Sequence, residues 1–140
     1  MEYLNRQAQR RFYFESWQGA QRGEPLTPLQ QQVVAVVALH PEYHAIIAGG
    51  EALLEAEFPP EQGQSNPYLH MGLHLALQDQ IRTDKPPGVA QIYAQLQQRL
   101  QGDHAAEHLM LEVLAETLWQ QQRSGVAIEP LLYLERLRQL

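Results

Sequence analysis

A chain of 140 residues is long enough to bury the core of one domain, and its charge and lack of cysteine narrow the functions it can have. The formal charge of −6 argues against a nucleic-acid-binding protein, since such a surface is normally basic. Without cysteine there is neither a disulfide framework nor a thiolate site. The longest apolar run, 33–39, is too short for a membrane span, and no leader of basic and then apolar residues opens the sequence. We therefore expect a soluble, cytoplasmic protein with residues 1–140 in a single helical domain.

Helix caps and helix breakers divide the chain into about six or seven helices. The first is predicted over about 5–22. The segment 27–30, Thr-Pro-Leu-Gln, contains the capping residue, the proline and the glutamine that are typical of a helix start. Because the residue before a proline avoids the α region, we expect His40 to cap a new short helix that begins with Pro41 and ends at 49–50, Gly-Gly.

The second half of the chain contains four further predicted helices. Asn66, followed by a proline, and Asp103 are the expected caps of two of them. Before Asn66, the segment 51–57 is expected to add a helical turn or two and 58–64 to form a loop. The four helices are predicted at 67–83, 89–101, 103–123 and from 130 onward. No alternating β pattern of useful length is found, so the predicted fold class is all-α.

Apolar residues at helical spacing predict which face each helix buries. In three of the predicted helices, at 67–83, at 89–101 and from 130 onward, the apolar residues are Leu69, Leu73, Leu77 and Ile81, then Ile92, Leu96 and Leu100, then Leu131, Tyr133, Leu134 and Leu137. The cluster of Arg6, Arg10 and Arg11 is the one local basic patch, and we interpret it as a solvated helix face.

All six histidines of the chain occur in pairs four residues apart. The pairs are His40 and His44, His70 and His74, and His104 and His108. The last two share the longer pattern H-x3-H-L-x-L-[QE]. Residues four apart lie on one helix face with Cβ atoms about 5–6 Å apart. Two imidazoles in that relation can bind one ion, since Zn–N and Fe–N bonds measure about 2.0–2.2 Å.

Carboxylates lie beside the last histidine pair, at Glu107 and Glu112. Such groups can bridge ions, act as a general base, or orient a histidine ligand. We therefore predict a metal-binding protein in which Glu107 or Glu112 completes the ligand shell and either serves as catalytic base. The predicted histidine ligands are His70, His74, His104 and His108, with His44 and His40 as further candidates.

The types of ligand indicate which metals could bind, but they do not identify the reaction. Nitrogen and oxygen donors suit iron, manganese or zinc. Metal sites of helical bundles are built in the interior, from side chains on facing helices. The predicted site therefore fits either a non-haem di-metal redox centre or a hydrolytic zinc, and the partner or substrate, a small molecule or a protein, is left open.

A non-enzymatic interaction module is the alternative function, with the histidines as a polar layer in the core. His40 also has an explanation of its own, since it precedes a proline at a helix start. The two readings differ in geometry. A shared metal site requires the helices of His74 and His108 to be neighbours, and we predict that they run roughly parallel with these side chains within about 8 Å.

Several segments together resemble one protein family. They cover nearly the whole chain, with no departure at any of the six histidines, and read R-R-F-Y-F-E-S-W at 10–17, H-P-E-Y-H at 40–44, N-P-Y-L-H-M-G-L-H-L-A at 66–76, G-D-H-A-A-E-H-L-M-L-E-V-L-A-E-T-L-W at 102–119 and Y-L-E at 133–135. The family is an uncharacterised proteobacterial one, known only as a domain of unknown function. The resemblance implies a bacterial, cytoplasmic origin and no particular activity.

Overall fold

The regular secondary structure of the computed structural model is helical in the described part, which comprises residues 2–50, 54 and 66–140. The α-helices are α1 (Glu2–Gln21), α2 (Pro28–Ala38), α3 (His44–Ala48), α4 (Pro67–Thr83), α5 (Val89–Leu100), α6 (Asp103–Ser124) and α7 (Pro130–Arg138), with a 3-10 turn at Pro41–Tyr43. No strand occurs in these residues. The all-α class and the number of helices are confirmed. The turn expected at 51–57, apart from Leu54, and the loop expected at 58–64 lie outside the described residues.

The chain divides into two compact units, Met1–Gly72 and Leu73–Leu140, and the division falls within α4. Here they are called unit 1 and unit 2. The assignment of residues 1–140 to a single domain stays a prediction. Among the helices of the described ranges, none combines the length and the apolar character that a membrane crossing requires.

Side-chain caps set two of the helix starts where the sequence places them. At the start of α2, the Thr27 hydroxyl accepts a hydrogen bond from the Gln30 backbone N–H at 3.2 Å, and the Gln30 side chain accepts one from the Thr27 N–H at 2.9 Å. The Asn66 side-chain oxygen accepts from the N–H groups of Tyr68 at 3.0 Å and Leu69 at 3.2 Å. These bonds satisfy donors that have no partner inside the helix, so the chain starts each helix at a defined residue.

The start of α6 differs from the prediction. Its cap is Gly102, and Asp103 is the first helical residue. The Asp103 carboxylate accepts a hydrogen bond from the Gln97 side chain, which takes the place of the expected bond to its own helix. A carboxylate in the first turn still suits the positive end of the helix dipole.

Unit 1 has its core where α1 packs against α2 and α3. Its buried apolar residues are Tyr13, Val33, Val36, Val37, Ile47, Leu54 and Met71. Burying a side chain of valine or leucine size stabilises the folded state by about 1.5–3 kcal/mol. Arg10 is also buried, with 2% of its surface exposed, so its interpretation as part of a solvated face is wrong. Its guanidinium donates to the Leu54 carbonyl at 2.9 Å and lies 4.6 Å from the centroid of the Tyr68 ring, and both contacts offset its loss of water.

Unit 2 has its core among α5, α6 and α7, which contact one another pairwise. The core residues are Leu73, Leu77, Val89, Ile92, Leu96, Ala106, Met110, Leu111, Leu114, Tyr133, Leu134 and Leu137. Of the residues expected to point inward, Leu69, Leu100 and Leu131 are instead exposed. Each of the three is within two residues of a helix end or in the first turn, where fewer neighbours cover a side chain. In α4 the buried face includes His74 together with the apolar Leu73 and Leu77.

Tyr133 gives unit 2 a dependence on alkaline pH. Burial raises the pKa of Tyr133 from 10.0 to about 12, although its hydroxyl donates to Gln80 at 2.8 Å. The folded state therefore keeps its proton between pH 10 and 12 while the unfolded state loses it, so the free energy of unfolding falls as pH rises through that window. Two pKa units correspond to a loss of up to about 3 kcal/mol.

We expect Tyr133→Phe to lose stability less steeply than the wild type in urea unfolding at pH 9, 10 and 11. The half-buried Tyr93 offers a matched control, and Tyr93→Phe should change the slope less. Equal pH slopes for the wild type and Tyr133→Phe would contradict the assignment.

Candidate metal centre

A buried hydrogen bond joins α4 to α6 inside unit 2. His74 has 0% of its surface exposed, and Glu107 is also buried. The Nδ1 atom of His74 lies 3.0 Å from Oε2 of Glu107. An ionised carboxylate can only accept a hydrogen bond, so Nδ1 carries the proton and donates it. The lone pair of His74 is therefore on Nε2, the nitrogen by which histidines commonly bind metals.

His108 brings a second nitrogen to that lone pair. Its Nε2 atom lies 3.0 Å from Nε2 of His74, and the ring centroids are 4.8 Å apart. The predicted distance below about 8 Å is confirmed, while the parallel direction of the two helices stays a prediction. Two nitrogens that bind one ion at about 2.1 Å are about 3.0 Å apart in cis octahedral geometry and about 3.4 Å apart in tetrahedral geometry. The observed separation fits the first, and it also fits an N–H···N hydrogen bond between the two rings.

His104 meets this pair with its ring. Its centroid is 4.1 Å from that of His108 and 5.5 Å from that of His74, with the planes of His74 and His104 within 6° of parallel. Contacts of this kind cover the faces of the two neighbouring imidazoles and restrict their rotation. The role of His104 as a ligand stays a prediction.

The local sequence of α6 explains why these side chains meet. His104, Glu107 and His108 are spaced i, i+3 and i+4, so they project from one helix face. Core residues Ala106 and Met110 lie between and beyond them in the sequence. A polar face beside an apolar core is shielded from water. Each hydrogen bond within it is therefore stronger, and each polar group without a partner would cost more free energy.

Tyr93 of α5 lies near the same carboxylate, and sequence reasoning missed it. The pKa of Tyr93 is raised by burial and then by the negative charges of Asp103 and Glu107. In the sequence this tyrosine follows Ile92 of the core stripe, and nothing in that pattern separates it from a packing residue. Only the folding of α5 against α6 brings its phenol into the field of Glu107.

Glu112 lies one helical turn after His108 and is exposed. With Glu116, Gln120 and Arg136 it lines a surface depression of unit 2. Its roles as ligand and as base stay predictions.

Unit 1 contains a separate group of aromatic rings around His40. The Nδ1 atom of His40 donates to the Val36 carbonyl at 2.7 Å. The Tyr43 ring stacks on His40 at 5.4 Å with the planes within 10°, and the His70 ring meets His40 edge-on at 5.0 Å. The nearest ligand atoms of His40 and His70 lie within 4.8 Å of each other.

His44, the sequence partner of His40, points elsewhere in unit 1. Its Nε2 atom donates to the Val37 carbonyl at 2.9 Å, and its ring packs against Trp17 with the centroids 4.7 Å apart. The pair four residues apart in the sequence is therefore not the pair whose rings meet. As for the other histidines, the ligand role of His44 stays a prediction.

Comparison with known proteins identifies the family of the chain, and the description of that family names no activity. The family model described as "Domain of unknown function (DUF1841)" matches residues 5–139. No curated protein matches the chain, and no solved structure does. The resemblance to a family known only as a domain of unknown function is thereby confirmed.

The pair of His74 and Glu107 should show strong coupling in a double-mutant cycle on chelator-treated protein. His74→Ala leaves the buried carboxylate without this bond, and we expect a cost of about 1–3 kcal/mol in the free energy of unfolding. The double variant with Glu107→Ala should cost at least about 1 kcal/mol less than the sum of the two single variants. The exposed pair of Asp79 and Arg82 on α4 is the control, with coupling below about 0.5 kcal/mol. Additive costs at His74 and Glu107 would show that their contact contributes nothing specific.

Proposed function

Since the chain belongs to the DUF1841 family, whose description names no activity, we propose from its own residues that this protein binds a divalent transition-metal ion. The ligands are the Nε2 atoms of His74 and His108. The observation that supports the proposal is the chain of contacts from Glu107 to Nδ1 of His74 and from Nε2 of His74 to Nε2 of His108, with each step at 3.0 Å.

Glu107 has the role of a carboxylate that orients a metal ligand. Histidines that bind metals almost always donate their other ring N–H to a carboxylate, a backbone carbonyl or water. This bond fixes the tautomer and makes the ligating nitrogen more basic. Because His74 is completely buried, its ring has little freedom to turn away from the direction that the bond sets. A preset ligand loses less entropy when the ion binds.

The donor set supports iron, manganese or zinc, and it leaves room for chemistry. Two protein nitrogens occupy two positions of a four- to six-coordinate ion, and catalytic sites keep at least one position open for water or substrate. A redox centre and a hydrolytic site are both compatible with such open positions. Within unit 2, Glu107 is the buried carboxylate nearest to His74, and we propose it as the candidate base.

A structural polar layer is the second candidate, because one observation favours it as well. The 3.0 Å between the two Nε2 atoms is also a good length for an N–H···N hydrogen bond between neutral imidazoles. In that case the protein is a non-enzymatic interaction module, and His108 carries its proton on Nε2. Metal ions would then have no differential affinity for the folded state and could not stabilise it.

Metal loading separates the two candidates. We expect protein purified without a histidine tag, and reconstituted anaerobically with iron, manganese or zinc, to retain metal after desalting. His108→Gln should lose it, whereas Asp79→Asn, an exposed carboxylate on the same helix as His74, should retain it. A metal present at about 100 times its Kd should stabilise the wild type by about 2.7 kcal/mol and raise its melting temperature, with no shift in His108→Gln.

Two results would decide against metal binding. One is a wild type that holds less than about a tenth of an ion per chain after reconstitution, since a folded metal site binds its ion tightly. The other is a melting temperature that metal raises equally in the wild type and in His108→Gln.

Glu107→Gln tests the orienting role within the metal reading. Glutamine keeps the size of the side chain and can still accept from Nδ1 of His74, but it has no charge. We expect metal affinity to fall by about 10- to 100-fold, the usual effect of losing an orienting partner. Competition with a chromophoric chelator measures it, with Asp79→Asn as the charge-matched control. An unchanged affinity in Glu107→Gln would remove Glu107 from the site.

A further inference from the structure

His40 in unit 1 resembles His74 in unit 2, because both rings are buried and each Nδ1 atom is hydrogen-bonded to an oxygen atom. It is buried, with 1% of its surface exposed, although imidazole is a polar group. Its Nδ1 atom lies 2.7 Å from the Val36 carbonyl oxygen. A carbonyl oxygen can only accept, so Nδ1 carries the proton and the lone pair is on Nε2. The tautomer of His40 is therefore set by its own backbone, one turn earlier.

The neighbours of His40 hold the orientation of its ring. Tyr43 lies parallel to one face, which restricts rotation of the imidazole about its side-chain bonds. His70 approaches at 80°, so that the edge of one ring meets the other. Because ring nitrogens are at the ring edge, this arrangement brings nitrogen atoms of His40 and His70 within 4.8 Å of each other.

We infer that His40 and His70 are ligands of a divalent transition-metal ion in unit 1, with the Val36 carbonyl as the group that orients His40. The inference rests on the proposed function, which supplies the class of ion, and it names two ligands in addition to His74 and His108. Metal–nitrogen bonds of about 2.1 Å place two ligand nitrogens about 3.0–4.2 Å apart, from cis to trans. The ligand atoms of His40 and His70, which lie within 4.8 Å of each other, are thus near the spacing that one ion requires.

His44 is the histidine of unit 1 that the structure does not place with His40 and His70. Its spacing from His40 is the one that sequence reasoning favours for a shared ion. Its ring, however, packs on Trp17, and its Nε2 proton is donated to the Val37 carbonyl. The geometry therefore pairs His40 with His70, which is 30 residues away in the sequence, and makes His44 an internal control.

Nuclear magnetic resonance of the ring nitrogens tests this ligand set in the full chain. The protein is labelled with 15N-histidine, stripped with a chelator and saturated with Zn²⁺, and two-bond 1H–15N spectra are assigned with single His→Gln variants. Before zinc is added, His40 should show the tautomer with the proton on Nδ1. On saturation, Nε2 of His40 and one nitrogen of His70 should change from a free-base to a metal-bound 15N shift, while both nitrogens of His44 keep theirs.

The same spectra report on His74 and His108, so the two proposals fail in different ways. Zinc-induced shifts at His74 and His108 with none at His40 and His70 would overturn the inference and leave the proposed function standing. Shifts confined to His40 and His70 would support the inference and overturn the proposed ligands of unit 2. An absence of shifts at all four would overturn both.

Zinc affinity is a second measurement, and replacing a histidine with a purely structural role would not change it. His70→Gln should lower zinc affinity at least tenfold while the circular dichroism spectrum stays that of the wild type. Glu42→Gln, an exposed carboxylate in the neighbouring 3-10 turn, should leave the affinity unchanged. A folded His70→Gln with wild-type affinity would overturn the ligand assignment of His70.

Discussion

The contact between Nδ1 of His74 and the carboxylate of Glu107 is the interaction on which the candidate centre depends. Both groups are buried, and a carboxylate or an imidazole without a partner in such a place would be costly. Pairing offsets that cost and has a second effect, because it decides which nitrogen of His74 keeps a lone pair. The same contact that makes the burial tolerable therefore directs Nε2 towards His108.

His40 uses a neutral acceptor where His74 uses a charged one, and this difference bears on binding. A carboxylate stabilises positive charge on the imidazole that donates to it and raises the basicity of the other nitrogen. The Val36 carbonyl at 2.7 Å fixes the tautomer of His40 equally well but contributes only a dipole. Both contacts therefore fix which nitrogen carries the proton, and they differ in the charge of the acceptor.

The sequence predicts most of the helices because their ends depend on local chemistry. Thr27, Asn66 and the prolines act on neighbours within four residues, and the structure shows the corresponding bonds. It also predicts which histidines share a helix face. It does not predict which rings meet, since that depends on packing between helices. Arg10 is the clearest case, because the aromatic ring and the carbonyl that cover it are 58 and 44 residues away.

A repeat of H-x3-H does not require that both members of a pair bind one ion. On α6, His108 offers a nitrogen to His74 whereas His104 contributes a ring face. In unit 1, His40 meets His70 and His44 packs on Trp17. In each of these pairs one histidine faces another helix with a nitrogen, and the other packs against an aromatic or imidazole ring. The spacing alone therefore does not identify which nitrogens meet, because the packing between helices decides it.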